Sequence, residues 1–179
     1  MKHTISFKPL LVHRLTIDKT VTRRLAKPSF DVGDIVGVKE QLEPRRFITW
    51  NPPGEYAVYS SDGCGVVDGC GENAHLVHWR WKLRVLPAIF CPHAYIRHEL
   101  LIVSITKERL QAITEEDARR EGVSGLHELG DTTGVSARDQ FAYVWDMLNK
   151  RNGDRWVDNP WVWRIEFKLK RKGGIREGH

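Results

Sequence analysis

The stretch Trp161-Val162-Trp163-Arg164-Ile165-Glu166-Phe167-Lys168-Leu169-Lys170 alternates with a period of two. Trp161, Trp163, Ile165, Phe167 and Leu169 fall on one side, and Val162, Arg164, Glu166, Lys168 and Lys170 on the other. Successive side chains of a strand point to opposite faces. The pattern therefore predicts a strand with an apolar core face and a wet, basic face. Such a strand needs partners, and the chain offers them upstream. Leu100 to Thr106 reads as a β-branched strand buried on both faces. Ile35 to Lys39 follows the turn Val32-Gly33-Asp34, Lys19 to Arg24 leans to β structure, and Ile5 to Phe7 is a short strand.

Three helices fit between the strands. Pro9 suits a helix start, where its missing N–H is no loss, and Leu11, Val12 and Leu15 give that helix an apolar side. Thr114-Glu115-Glu116-Asp117 resembles a capping box opening a helix to about Glu121, with Gly122 ending it. Ser136 can cap a longer helix, in which Phe141, Val144, Trp145 and Leu148 form one apolar stripe before Asn152-Gly153 stops it. Strands and helices without regular βα alternation predict an α+β fold, a small curled sheet or barrel with about three helices packed outside.

Composition bounds the function. The chain has 179 residues, 41% hydrophobic and 28% charged, which is globular in kind and the size of one domain. No apolar run approaches the roughly 18 residues needed to span a bilayer. The first twelve residues do not form a secretory signal, and three cysteines do not make a disulfide framework. The expectation is a cytoplasmic protein with no membrane partner. The net charge of +5 sits at the two ends. Residues 1–39 carry eight Lys/Arg against three Asp/Glu, residues 164–179 six against two, and residues 40–163 fourteen against eighteen. If the ends meet, they make one basic face suited to nucleic acid or nucleotides.

Residues 42–98 read as a glycine- and proline-rich insertion holding one strand, Tyr56 to Tyr59. Within it Cys64, Cys70, His75 and His78 are spaced C-x5-C-x4-H-x2-H, followed by Cys91 and His93. Structural zinc sites use tighter cysteine spacing, so no metal and no cofactor is assigned. Trp79-Arg80-Trp81-Lys82 interleaves aromatic and cationic groups, which suits base stacking with phosphate contact. It suits equally a short amphipathic strand lidding the sheet. Trp145, Trp161 and Trp163 are read as core.

Three blocks carry candidate chemistry. In Lys19-Thr20-Val21-Thr22-Arg23-Arg24 the polar and cationic groups are dense enough to hold a phosphate or a base edge. Gly33-Asp34-Ile35-Val36-Gly37-Val38-Lys39-Glu40 is a turn and strand ending in a charged pair. In Glu115-Glu116-Asp117-Ala118-Arg119-Arg120-Glu121-Gly122 the early acids suit the helix dipole, whereas Glu121 opposes it.

With Glu108 to Val123, Phe141, Trp145-Asp146 and Asn159-Pro160-Trp161-Val162-Trp163, these blocks resemble the ASCH-domain proteins, a branch of the PUA-like superfamily, in particular its longer prophage-associated members. The resemblance runs from about residue 5 to 169. It implies one domain over residues 1–170, a small β-barrel with helices around a cleft, followed by a basic tail at 171–179. It implies a ligand that is RNA or a modified nucleoside or nucleobase, with Thr20, Arg23, Arg24, Lys39, Glu40, Trp79 and Trp81 as the binding residues. Some small ASCH proteins are amidohydrolases that deacylate acetylcytidine with a Lys, a Thr and a Glu. By position these are Lys19, Thr22 and Glu121, although the 42–98 insertion has no counterpart in the small enzymes. A threonine activated by a desolvated lysine, with a carboxylate to protonate the leaving amine, is a coherent amide-cleaving set; Thr22 as the holder of a water is equally so. Other ASCH proteins are ribonucleases by resemblance, but no histidine pair here has diagnostic spacing. An ion pair between Lys19 and Glu121 is expected to push both toward their charged forms, which places binding ahead of catalysis.

Overall fold

The computed structural model describes residues 3–48, 53–68, 74–123 and 132–171. The fold is α+β, built on a long antiparallel pair, β8 (His98–Arg109) and β9 (Trp161–Arg171). On β8 lies β3 (Ile35–Lys39), antiparallel, and on β3 lies β1 (His3–Ser6), parallel. On the other side β9 carries β2 (Val21–Arg24), antiparallel. The order is β1-β3-β8-β9-β2, a mixed five-stranded sheet. Among the described residues no ladder joins β1 to β2, so the expected barrel is an open sheet here. Its edges nonetheless approach, because Arg24 on β2 donates to the Ser6 carbonyl at the end of β1.

Both faces of β9 are covered. Ile165 and Phe167 face one core with Phe7, Val12, Leu15, Phe30, Val36, Val38, Leu100 and Ile102. Helix α1 (Pro9–Arg14), with Pro at its first turn, supplies Val12 to it. Val162, expected on the wet face, is buried in a second core with Leu110, Ala118, Phe141, Val144 and Trp145. That core belongs to α2 (Glu115–Arg120) and α3 (Ala137–Leu148). Thr114 and Ser136 cap these helices, accepting from the Asp117 and Asp139 backbone N–H. Trp161, expected in the core, is 50% exposed, because the apolar stripe of β9 outruns the first core and Trp161 lies opposite Arg109 at the far end of the ladder. Nor is β8 buried on both faces: Val103, at a register shift between Ile102 and Ser104, points to solvent.

Residues 42–96 are more regular than their composition predicts. β4 (Leu42–Phe47) pairs with β5 (Gly54–Tyr59), and β6 (Val67–Asp68) with β7 (His75–Leu76). Pro44 is tolerated because β4 has a single strand partner. Leu42, Ala57, Tyr59, Val66, Val77, Leu86, Cys91 and Tyr95 form a third core. Glu40, just after β3, and Arg97, just before β8, clasp the two roots of this segment. Arg97 donates to both Glu40 oxygens at 2.8 and 2.9 Å and reaches Asp62 at 2.8 Å. No helix of the described residues is long and apolar enough to cross a membrane.

Candidate functional site

The site forms where β2 meets the C-terminal end of α2. Helix α2 stops because Gly122 takes φ +74°, a left-handed conformation that glycine adopts freely. A Cβ there would stand 2.8 Å from Arg14 Cβ and 3.0 Å from Lys19 Cβ. This close approach sets Glu121, the residue that caps α2, against Lys19. Lys19 is 2% exposed and Glu121 4%. The Lys19 ammonium donates to Glu121 Oε2 at 2.9 Å, to the Glu121 carbonyl at 2.7 Å and to the Val21 carbonyl at 2.9 Å. Its three N–H bonds are thus all accepted. The expected effect of the pair on Lys19 is outweighed. Burial draws the ammonium below the usual lysine range, Glu121 opposes this, and Arg24 and Arg23 add to the lowering.

Arg23 extends the cluster. Its guanidinium donates to Glu108 at 2.8 Å, Asp117 at 2.8 Å and Glu121 Oε1 at 3.1 Å. Arg164 binds Asp117 through two bonds, at 2.7 and 3.0 Å. With Arg23 it holds the Asp117 carboxyl at about 2, well below its ordinary value. Arg120 ties Thr20 Oγ1 at 3.0 Å and reaches Glu166. The basic charge of the two chain ends does meet here, through Arg23 and Arg164. It meets on the acids of α2 and β8, and is largely neutralised there rather than presented as a free basic face.

Beside this cluster lies a cavity of about 200 Å³. Thr22, Arg23, Arg24, Lys8 and Glu121 supply polar lining, and Leu11, Leu25, Val123, Phe141, Val144, Trp145 and Leu148 supply apolar lining. Arg24 spans to Ser6 and lies over the Phe7 ring at 5.0 Å. Its Nε is buried with no hydrogen-bond partner. Burial lowers the Arg24 pKa, against the pull of Glu121. A buried donor without an acceptor is costly and marks the wall of this cavity as the place for an added acceptor.

The structure gathers Thr22, Arg23, Arg24 and Glu121 on one cavity, with Lys19 behind Glu121 and Thr20 pinned by Arg120. Lys39, Glu40, Trp79 and Trp81 do not line it. Lys39 donates to the Ile89 carbonyl at 3.0 Å, Glu40 is held by Arg97, and Trp79 and Trp81 pack on the third core with ring centroids 4.9 Å apart. Those contacts give all four a structural role in the insertion. Cys70 lies outside the described residues. The exposed Cys64, His75 and His78 form no metal-holding group among the described residues. His78 instead stacks on Tyr56 at 4.3 Å, and Cys91 is buried. Sequence reasoning did not single out Asp117, Glu108, Arg164, Phe141 or Trp145 as site residues. The first two stand in the acidic block with Glu121, and their spacing of nine and four residues was the available signal. In comparisons with known protein families, curated proteins and solved structures the chain has no match, so its likeness to the ASCH domain rests on the motifs quoted above.

Proposed function

We propose that the chain is an ASCH-type, PUA-like domain that binds RNA or a modified nucleoside through its base, in the cavity beside β2. The observation that carries this reading is the lining of the cavity. Aromatic and aliphatic side chains meet a rim of hydroxyl, guanidinium and carboxylate, with one buried guanidinium donor still unpaired. Pockets for drug-sized ligands run to about 300–1,000 Å³, so this smaller one suits a single heterocycle rather than a whole nucleotide chain. A base offers what the lining lacks: a ring to pack on Phe141 and Trp145, and a carbonyl or ring nitrogen to accept from Arg24 or Thr22. Glu121 can accept from an exocyclic amine. In this reading the five-stranded sheet is the family's barrel with its edges bridged by Arg24 rather than by a ladder.

A second reading, amidohydrolysis of an acylated nucleoside, is supported by the lowered Lys19 pKa and by Thr22 and Glu121 sharing the cavity. Thr22 would attack the acyl carbonyl or hold a water, Lys19 would take the proton, and Glu121 would return one to the leaving amine. Binding ranks first because Lys19 must break one of its three hydrogen bonds before it can accept a proton from Thr22.

The test is calorimetric titration with cytidine, N4-acetylcytidine and uridine, with chromatography of each mixture. The binding reading expects saturable nucleoside binding, weakened about 2- to 12-fold in Thr22→Val, the range of one hydrogen bond. Release of acetate and cytidine from acetylcytidine, lost in Thr22→Val, would establish the second reading instead. Absence of binding to any of the three would overturn both.

A further inference from the structure

The alternating strand that decides the fold leaves two tryptophans outside the core, and these are the molecule's least explained aromatic groups. Trp161 is 50% exposed and Trp163 partly so. They share one face of β9. Lys107 stands opposite Trp163 and Arg109 opposite Trp161 on β8. The Lys107 ammonium lies 5.4 Å from the Trp161 ring and 6.0 Å from the Trp163 ring. Arg109 lies 4.6 Å from Trp161, and Lys27 lies 5.7 Å from Trp163. All three cations are solvent-exposed, and among the described residues none has a carboxylate within ion-pair distance. This contrasts with Arg23, Arg97, Arg120 and Arg164, each committed to one or more acids.

We propose that the face formed by Trp161, Trp163, Lys27, Lys107 and Arg109 is a binding platform for single-stranded nucleic acid, in which bases stack on the indoles and phosphates replace the anions the three cations lack. Aromatic rings alternating with unpaired cations are the chemistry of sequence-tolerant single-strand binding. Position supports it too. Arg24, which lines the cavity, is the direct register partner of Trp163, and Leu25, also at the cavity, precedes Lys27 by two residues. A strand with one base in the cavity would therefore carry its neighbours across Trp163 and Trp161. The proposal deepens the cavity reading and rests on it for nucleic acid as the ligand class.

The experiment is fluorescence anisotropy with a labelled 12-nucleotide single-stranded RNA, and with the corresponding duplex, at several salt concentrations. The wild-type chain is expected to bind the single strand more tightly than the duplex. Trp161→Ala should lower affinity roughly 5- to 150-fold, the range of one base–aromatic stack, and Trp161→Phe should restore most of it. Replacing Lys107 and Arg109 together by alanine should reduce the slope of log affinity against log salt by about 1. Melting curves of each variant establish that it is folded, and cytidine titration reads the cavity separately. Cytidine binding unchanged in Trp161→Ala while RNA binding falls supports the platform. RNA binding indifferent to Trp161 and to the double substitution would overturn the platform and leave the cavity reading standing. Equal affinity for duplex and single strand would overturn it as well.

Discussion

Replacing Glu121 by glutamine tests the buried cluster more severely than removing any other acid. Glutamine is nearly isosteric, but both Glu121 oxygens accept from cations, Oε2 from Lys19 and Oε1 from Arg23. The new amide NH2 must therefore confront a donor whichever way it points. Arg23 keeps Glu108 and Asp117, so the stranded charge is Lys19, whose only other acceptors are backbone carbonyls. Breaking one partner from a buried ion pair costs about 3–5 kcal/mol, a large part of the roughly 5–15 kcal/mol that holds a domain folded. With a urea m-value of about 2 kcal/mol/M, the unfolding midpoint at pH 7 should fall by about 2 M. The sign with pH follows from Lys19. Its folded pKa already lies below the ordinary lysine value, and losing Glu121 lowers it further. Between the folded and unfolded values the unfolded chain binds the extra proton, so stability rises with pH in that window. The deficit of Glu121→Gln relative to wild type should thus shrink between pH 7 and pH 9.5. Urea unfolding followed by tryptophan fluorescence at both values reads it directly. A deficit below about 1 kcal/mol, or one unchanged at pH 9.5, would refute the claim that Lys19 is a buried ammonium held by Glu121.

Three further outcomes follow from the same geometry. Asp117, held at about 2 by Arg164 and Arg23, contributes stability that is present above pH 4 and lost as pH falls toward 2; Asp117→Asn should flatten acid unfolding in that range, read by circular dichroism. Gly122→Ala meets both a positive φ and the Arg14 and Lys19 Cβ atoms, and should cost more than the roughly 1–2 kcal/mol of a left-handed alanine alone, measured by denaturant unfolding. Arg97→Ala leaves the buried Glu40 carboxylate without its cation and should cost about 3–5 kcal/mol, with hydrogen exchange rising first in residues 42–96; protection unchanged there would show that the clasp does not hold the segment.

Much of this architecture is legible in the sequence, for a definable reason. Period-two alternation located β9, a glycine turn and β-branched residues located β3, and cap residues Thr114 and Ser136 located α2 and α3. Those signals are local. The misplacements arise where a second layer intervenes. Val162 reads as wet until α3 is known to cover it, and Trp161 reads as core until the core is seen to end at Ile165. The convergence of Lys19 with Glu121 was visible as an oddity, an acid against the helix dipole. The net direction of the Lys19 pKa was not, because desolvation depends on packing that no spacing encodes. Strand β4 was missed because Pro44 argues against strands, and its edge position becomes evident only from the pairing.

The central claim is that the cavity between β2 and α3 receives a base. Amide chemical-shift mapping of the 15N-labelled chain during cytidine titration tests it most directly. The account predicts saturable shifts concentrated at Thr22, Arg23, Arg24, Glu121, Val123 and Phe141, with residues 54–59 of the insertion unmoved. Shifts centred on Tyr56, Trp79 and Trp81 with β2 silent would contradict it.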